Sequence, residues 1–454
     1  MPTMPTHVMH RLLVTLLTTI GLTVGALTEF VMSSSQTAGA SPTDDVVRLG
    51  VESHANAAPS IAARGDAVVV SWGAQREGRW NVYVATSRNG GGSFSPPVRV
   101  NRVDGDARVN GEIAPRVALV SRSGQADPEV VVVWNARGTT TGILLATSHD
   151  FGRSFSDGEP LQTAAAEGDR GWHALAIDRE GTAHTIWLDH RGLAEARRHT
   201  SASHPATDRA AMDGVAMARL STLRYAARGQ IRVEDRLVVP GVCYCCKTAL
   251  VSTAKGLLAA WRHVYEGNMR DIAYAWVDRP RADPPTRVSR DGWSLNGCPD
   301  DGPALTVDGD DRVHAVWPTV EQGPTPRGGI FYARLEGESG FTARVRVPTL
   351  GAPKPSHPQV ATDGQGRLSV GWDEVHDGIR RAAVVSATLS SGQPPVFGAP
   401  RFITEATEPS QYPVMAAGRR GLLIATVDGP AGYTVIGVRR LSSPEASRSP
   451  RPRG

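Results

Sequence analysis

One unit recurs along this chain: a short strand, a turn built on Gly or Asp, and a strongly apolar strand ending in Trp. It is seen in "PSIAARGDAVVVSW" from Pro59, "HALAIDREGTAHTIW" from His173, "TALVSTAKGLLAAW" from Thr248, "PALTVDGDDRVHAVW" from Pro303 and "PQVATDGQGRLSVGW" from Pro358. "PRVALVSRSGQADPEVVVVW" from Pro115 is the same unit with a longer turn, and "PVMAAGRRGLLIAT" from Pro413 is the unit without its Trp. The units start at 59, 115, 173, 248, 303, 358 and 413, spaced by 56, 58, 75, 55, 55 and 55 residues. A third strand follows each, as in "WNVYVATS" or "IFYARLE", and then a fourth, as in "PVRVN" or "ARVRVP". Four short strands at this period are the signature of a β-propeller blade. A lone blade cannot cover both its faces, whereas seven packed radially can. Trp72, Trp134, Trp187, Trp261, Trp317 and Trp372 are the bulky groups suited to fill the space between them. The expectation is an all-β, seven-bladed propeller with four-stranded blades.

The seventh unit ends with the third strand "YTVIGVRRL", after which only the polar "SSPEASRSPRPRG" remains. "DVVRLGV", residues 45–51, precedes the first unit without a partner. It is expected to supply the outer strand of the last blade and so close the ring. Residues 1–40 are of another kind: Arg11, the apolar run 12–27, and a small-residue site at Ala38-Gly39-Ala40 (or Val24-Gly25-Ala26) have the layout of a secretory signal. An uncleaved anchor over 12–32 is the alternative, with Glu29 as its flaw. The expected organisation is a leader or anchor at 1–40, one propeller at 41–441 and a disordered tail at 442–454, in an exported, monomeric protein. A net charge of +4 with no dense Lys/Arg block argues against nucleic acid, and membrane contact is expected only through the N-terminal segment if it is retained.

Two turns carry a more specific pattern. "SHDFGRSF" (Ser148, Asp150, Gly152, Phe155) matches S-x-D-x-G-x-S/T-W/F, and "SRNGGGSF" (Ser87, Asn89, Gly91, Phe94) matches it with Asn in the Asp position. Both follow their Trp by 14 or 15 residues, between third and fourth strands. The carboxylate or amide accepts turn N–H groups, the glycine takes a positive φ, and the aromatic tucks under the hairpin. On these motifs, over residues 45–441, the chain resembles the Asp-box (BNR-repeat) propellers of the sialidase-like superfamily. A six-bladed ring of the sialidase type is the alternative this resemblance brings. The box itself is structural and implies no activity.

In a propeller the first strands line a central channel, and the connections leading into them open on one face, here called upper. The segments after the Trp residues belong there and are polar: Asn135 and Arg137; Asp189, His190 and Arg191; Arg262 and Asp271; Glu374 and His376. They are the candidate ligand-contacting groups, and residues 192–214 form an insertion placed to act as a lid. The four cysteines fall on the same face. "PGVCYCC" holds Cys243, Cys245 and Cys246, and "NGCPDDG" holds Cys298. Aligning the two repeats places Cys243 and Cys298 at matching positions before neighbouring first strands, so one cluster is expected. An even cysteine count in an exported chain suits disulfides. Thiolates also suit Cu(I) or Zn(II), with His263 and Met269 as extra ligands. A redox or catalytic thiol is the third reading. The motif "VCYCC…RDI…DGW…GCPDDGPAL" is similar to a subset of bacterial exported sialidase-like proteins.

Family sialidases use an arginine triad, a Tyr–Glu nucleophile pair and an acidic acid/base. The F/Y-R-I-P arginine motif is missing here; Arg48 and Arg116 are poor substitutes. Tyr412, with Glu408 close in sequence, leads into the last first strand and is the candidate nucleophile. The expectation is a binding protein for a small ligand, glycan or protein at the channel mouth, without clear catalytic machinery, its cysteines open to disulfides first and to a Cu or Zn site second. Exo-α-sialidase-like hydrolysis and a disulfide-stabilised interaction platform are the alternatives.

Overall fold

The computed structural model describes residues 46–138, 141–162, 167–203, 214–228, 235–279, 283–337, 339–390 and 392–441. The leader 1–40 and the tail 442–454 lie outside them. Seven antiparallel sheets follow one another along the chain, and each blade runs from an inner first strand to an outer fourth. The first strands are Ala55–Arg64, Arg116–Val120, Arg170–Ile177, Ala249–Thr253, Ala304–Val307, Ser356–Thr362 and Ser410–Gly418. Each adjoins the next, and the seventh adjoins the first, so the ring is closed with seven blades and not six. Blade 6 carries one additional short strand, Arg401–Phe402, paired with its third strand.

The closing strand is Val47–Leu49, which pairs with Val435–Leu441 in the register Val47↔Val438 and Leu49↔Ile436. It completes the last blade, as the unpartnered "DVVRLGV" implies. The seam is reinforced by Asn56, whose side chain is 2% exposed. Its Oδ1 accepts from Val51 N at 2.8 Å and from Trp72 Nε1 at 2.9 Å. Its Nδ2 donates to Thr434 O at 2.9 Å and His54 O at 3.0 Å. One amide thus ties the first blade, the last blade and the segment between them.

All six repeat Trp residues lie on second strands and are at most 2% exposed. Burying a ring of this size stabilises the fold by roughly 4–6 kcal/mol at most. A buried indole N–H calls for an acceptor; five of the six have one, and Trp134 Nε1 has none among the described residues. In a strand, residues i and i+2 share a face, and the sequence uses that: Trp187 donates to Asp189, Trp261 to His263 and Trp372 to Glu374, at 3.3, 3.3 and 2.8 Å. Trp317 donates to Asp291 at 2.7 Å. In blade 7, Thr426 stands at the Trp position and bonds Asp428 at 2.6 Å. Arg439, 6% exposed, completes that polar substitute with bonds of 3.0 Å to Thr426 and 2.6 Å to Asp428.

The turns between third and fourth strands are held as their chemistry requires. Asp150 Oδ1 accepts from Arg153 N, Ser154 N and Ser148 Oγ at 3.0, 2.9 and 2.7 Å, and Ser148 Oγ accepts from Gly152 N at 2.7 Å. Asn89 and Ser87 repeat the scheme with Ser93 N and Gly91 N. Phe151 is the aromatic fully buried at the first turn, while Phe155 packs partly exposed beside it. Two His–Asp–Tyr sets, His184–Asp178–Tyr225 and His314–Asp308–Tyr332, resemble catalytic arrangements. They sit at the same repeat position, beside the turns joining first and second strands, and staple those turns.

Replacing Asn56 by Ala leaves Trp72 Nε1 and Val51 N buried without an acceptor. The expected loss, read by denaturant unfolding, is on the order of 2–4 kcal/mol. A loss below about 0.5 kcal/mol would show that the seam does not depend on this amide.

Candidate functional site at the upper channel mouth

The residue immediately before each first-strand repeat faces the same end of the ring: Ala58, Ala114, Trp172, Lys247, Gly302, His357 and Tyr412. Four of them, Ala58, Trp172, His357 and Tyr412, have φ of 53°, 53°, 56° and 51°. In the same four blades the pairing register shifts at that point. A left-handed backbone is costly for bulky residues, and three of the four are bulky. The bulge takes each out of the strand's alternation and re-aims its side chain. Neighbouring glycines make the room: a side chain on Gly111 would collide with the Tyr412 ring, and one on Gly302 with the Lys247 carbonyl.

These residues meet a dense set of charges. The Tyr412 ring packs against His357, tilted by 36° with ring centroids 4.1 Å apart. His357 Nδ1 lies 2.8 Å from Asp373, which also accepts from Tyr412 N at 2.8 Å and from Arg380 at 2.5 Å. Burial works against the His357 charge, but Asp373 outweighs it and raises the pKa. Burial likewise opposes the Asp373 carboxylate, and His357 and Arg380 overcome it, so its pKa is lowered. Burial, with Asp373, Glu112 and Asp300, pushes Tyr412 up to about 12. Lys247 Nζ stands 3.8 Å from Glu112 and 3.9 Å from Asp301. Glu112 also accepts from Lys247 N at 2.8 Å, and Asp301 from His357 N at 2.8 Å. Burial, helped by Asp301 and opposed by Lys247, raises the Glu112 pKa. Arg116 donates to His173 O at 3.2 Å in the same region. Among the described residues, Glu112 Oε1, Asp301 Oδ1 and Trp172 Nε1 are buried polar atoms without a hydrogen-bond partner.

Beside this ring a cavity of about 630 Å³ is lined by Trp172, His190, Arg197, Tyr244 and Cys245, among others. Its wall includes Leu193 and Ala194 of helix α1, Arg191–Ser203, the start of the insertion expected as a lid. Helix α2, Gly214–Arg219, adds Met217; residues 204–213 lie outside the described set.

The cysteines form one cluster. Cys245 and Cys298 are joined in a disulfide, and Cys243 and Cys246 are free thiols. Cys243 Sγ lies 3.8 Å from Cys245 Sγ and 3.4 Å from Cys246 Sγ. Arg270 Nη1 donates to Cys243 Sγ at 3.0 Å. Burial pushes the Cys243 thiol up, but the Cys246 hydrogen bond and the Arg270 and Arg262 guanidiniums bring it down to about 7. Cys246, desolvated and beside Cys243, is raised.

Several sequence-derived candidates are placed otherwise than expected. Asn135, Asp189, Arg262, Asp271 and Glu374 are at most 1% exposed and act as braces, not as groups facing a ligand. Asp189 and Glu374 stand two residues after a Trp, and this puts them between blades. Asp189 binds Arg170 at 3.0 Å and Arg191 at 2.8 Å, and Glu374 binds His376 at 2.5 Å. Asn135 donates to Arg170 O. Arg262 donates to Asp301 O, Arg270 O and Pro318 O at 3.1, 2.7 and 2.7 Å, and Asp271 accepts from Gly292 N at 3.2 Å. Arg137 is exposed. His190 alone of that set lines the cavity, its ring 5.3 Å from Trp172. Glu408 is not paired with Tyr412; it meets Arg48 at 3.4 Å and Arg439 at 3.8 Å. His263 is spent on Trp261 and lies outside the 4.8 Å group of Cys243, Cys245 and Cys246; Met269 joins its segment through backbone bridges to Tyr265 and Ser294. Glu112, Trp172, Lys247, Asp301 and His357 were missed, whereas Asp373, polar and after its Trp in "DEVHDG", was visible as an upper-face residue. For Trp172, Lys247 and His357 the available signal was the position just before each repeat unit, where Tyr412 also stands.

The fold and its mouth define a seven-bladed propeller with a charged, aromatic-lined channel opening. No family model matches the chain, and no curated protein matches it. Solved structures of similar fold include a protein of unknown function from Dyadobacter fermentans, 13% identical over 76% of this chain and 97% of that one, with a TM-score of 0.45. The GH93 α-L-arabinofuranosidase of Fusarium graminearum with arabinobiose is 10% identical over 88% and 97%, with a TM-score of 0.46. A PL25 polysaccharide lyase, an ulvan lyase, is 11% identical over 85% and 93%, with a TM-score of 0.49. Likeness at this identity concerns the fold alone.

Burial lowers the pKa of His173 to about 3, with Arg116 adding to the effect. Unfolded, that histidine takes a proton near its ordinary value of about 6.5; folded, it does so only near 3. Between these values the unfolded chain binds more protons, so stability falls as pH falls. His190 and His263, each lowered to about 4 mainly by burial, act in the same direction. His173→Gln should flatten the fall in unfolding free energy below pH ~6 by about 1.4 kcal/mol per pH unit. An unchanged slope would mean that His173 is not held neutral.

Proposed function

We propose that this is an exported propeller whose upper mouth binds a polyhydroxylated ligand of the saccharide class. The observation that carries the reading is the pairing of Glu112 and Asp301 with Lys247 at 3.8 and 3.9 Å. That distance balances charge but is too long for a hydrogen bond, so one oxygen on each carboxylate is left to accept a ligand hydroxyl. Buried acceptors of this kind are costly unless something satisfies them. Tyr412 stands near Glu112 and Asp300 and Trp172 lines the cavity, and a site that combines apolar faces with few convergent polar groups suits a sugar ring. The apolar leader-like segment at 12–27 and the Cys245–Cys298 disulfide support export.

A second reading has one observation in its favour. Burial raises the Glu112 pKa beside Tyr412, and this is the condition a carboxyl needs to donate a proton to a leaving oxygen. Sialosides are not the expected substrate, since the early arginine motif is missing.

The test is a panel of neutral and acidic oligosaccharides, with binding read by calorimetry. A ligand should emerge whose affinity falls at least about tenfold in Tyr412→Ala and in Asp301→Asn. Near-ultraviolet circular dichroism would verify each variant's fold. A panel with no binder, or a binder indifferent to both substitutions, would sink the proposal. Turnover of a panel member that is lost in Glu112→Gln while binding persists would establish the second reading.

A further inference from the structure

We infer that the four cysteines form a thiol–disulfide relay, passing a disulfide between the Cys245–Cys298 pair, whose Cys298 is exposed, and the buried Cys243/Cys246 pair. The two pairs are laid end to end. Cys298 is exposed to solvent and bonded to Cys245, which lines the cavity. Cys243 Sγ is 3.8 Å from Cys245 Sγ, and Cys246 Sγ is 3.4 Å from Cys243 Sγ. Cys243 and Cys246 have the C-x-x-C spacing of exchange-active dithiols, both are 1% exposed, and Arg270 holds a positive charge 3.0 Å from the sulfur that must act as a thiolate. A structural disulfide needs no such neighbours.

The exchange balances without an external oxidant. The Cys243 thiolate attacks Cys245 Sγ, forming a Cys243–Cys245 bond and releasing Cys298 as a thiolate. Cys246, giving up its proton, attacks Cys243 Sγ; a Cys243–Cys246 bond forms and Cys245 leaves as a thiolate that takes that proton. One disulfide and two thiols are present before and after. The class of molecule that exchanges with the relay from outside is a thiol or disulfide that reaches Cys298 from solvent. The relay does not depend on the saccharide reading.

The test uses the full chain with its disulfide intact. It is held with an alkylating reagent and no added thiol, then digested under non-reducing conditions. Cleavage after Tyr244 separates Cys243 from Cys245 and Cys246, so mass spectrometry reads which peptides remain joined. Cys298 should become alkylated while the Cys243 peptide becomes linked to the Cys245–Cys246 peptide. In Cys243→Ser the alkylation of Cys298 should slow at least about tenfold. In Cys246→Ser the Cys243–Cys245 linkage should accumulate. A fold check on each variant accompanies these readings, and the native-chain linkage map stands even if a variant fails it. Cys298 that stays bonded to Cys245 throughout, with Cys243 never linked, would overturn the relay. So would one Cu or Zn ion per chain in protein purified without chelator and lost in Cys243→Ser, which would make the cluster a metal site.

Discussion

The burial of an indole between successive blades is the interaction on which this ring rests. Each Trp fills the wedge between two sheets with one large apolar group, but it brings an N–H that is costly to leave unpaired, and among the described residues only Trp134 of the six leaves it so. Three blades meet that demand from the same strand two residues on, with Asp189, His263 and Glu374. The need then spreads. A buried carboxylate must itself be balanced, so Asp189 gathers Arg170 and Arg191, and Arg191 reaches Asp235 at 2.6 Å. Much of the polar character after the second strands is therefore a consequence of packing.

This explains what could and could not be read from the chain. The blade count, the closing strand and the matching placement of the two cysteine segments follow from register along a repeat, which is a local property of sequence. The site does not. Glu112 meets Lys247 from two blades away, and Asp301, His357 and Asp373 come from two more. The left-handed backbone at Trp172, His357 and Tyr412 has no glycine or asparagine to announce it. Asn135 and Glu374 looked like ligand contacts because a polar residue after a strand resembles a loop residue, yet both are enclosed by the next blade. The cysteine spacing allowed several pairings, and only the geometry around Cys245 singles out Cys298.

The mouth and the thiol cluster share a wall. Cys246 is followed directly by Lys247, and Cys298 is followed by Asp300 and Asp301, so the two segments that carry sulfur also carry mouth charges. Arg262 bonds the Asp301 carbonyl on one side and the Arg270 carbonyl on the other. A rearrangement among the sulfurs would therefore be felt at the carboxylate that positions His357.

The seam of the ring has a mechanical meaning. Val47 lies opposite Val438, the middle residue of the strand Val435–Leu441, and this pair ends the closing ladder, so the chain enters and leaves that ladder at the same end. Tension applied through the two chain ends would load these hydrogen bonds one at a time, as in peeling tape, and not all together in shear. A ring held together by packing between seven blades would thus yield at low force when pulled by its ends. Pulled instead from points on opposite blades, it would have to break whole sheets apart.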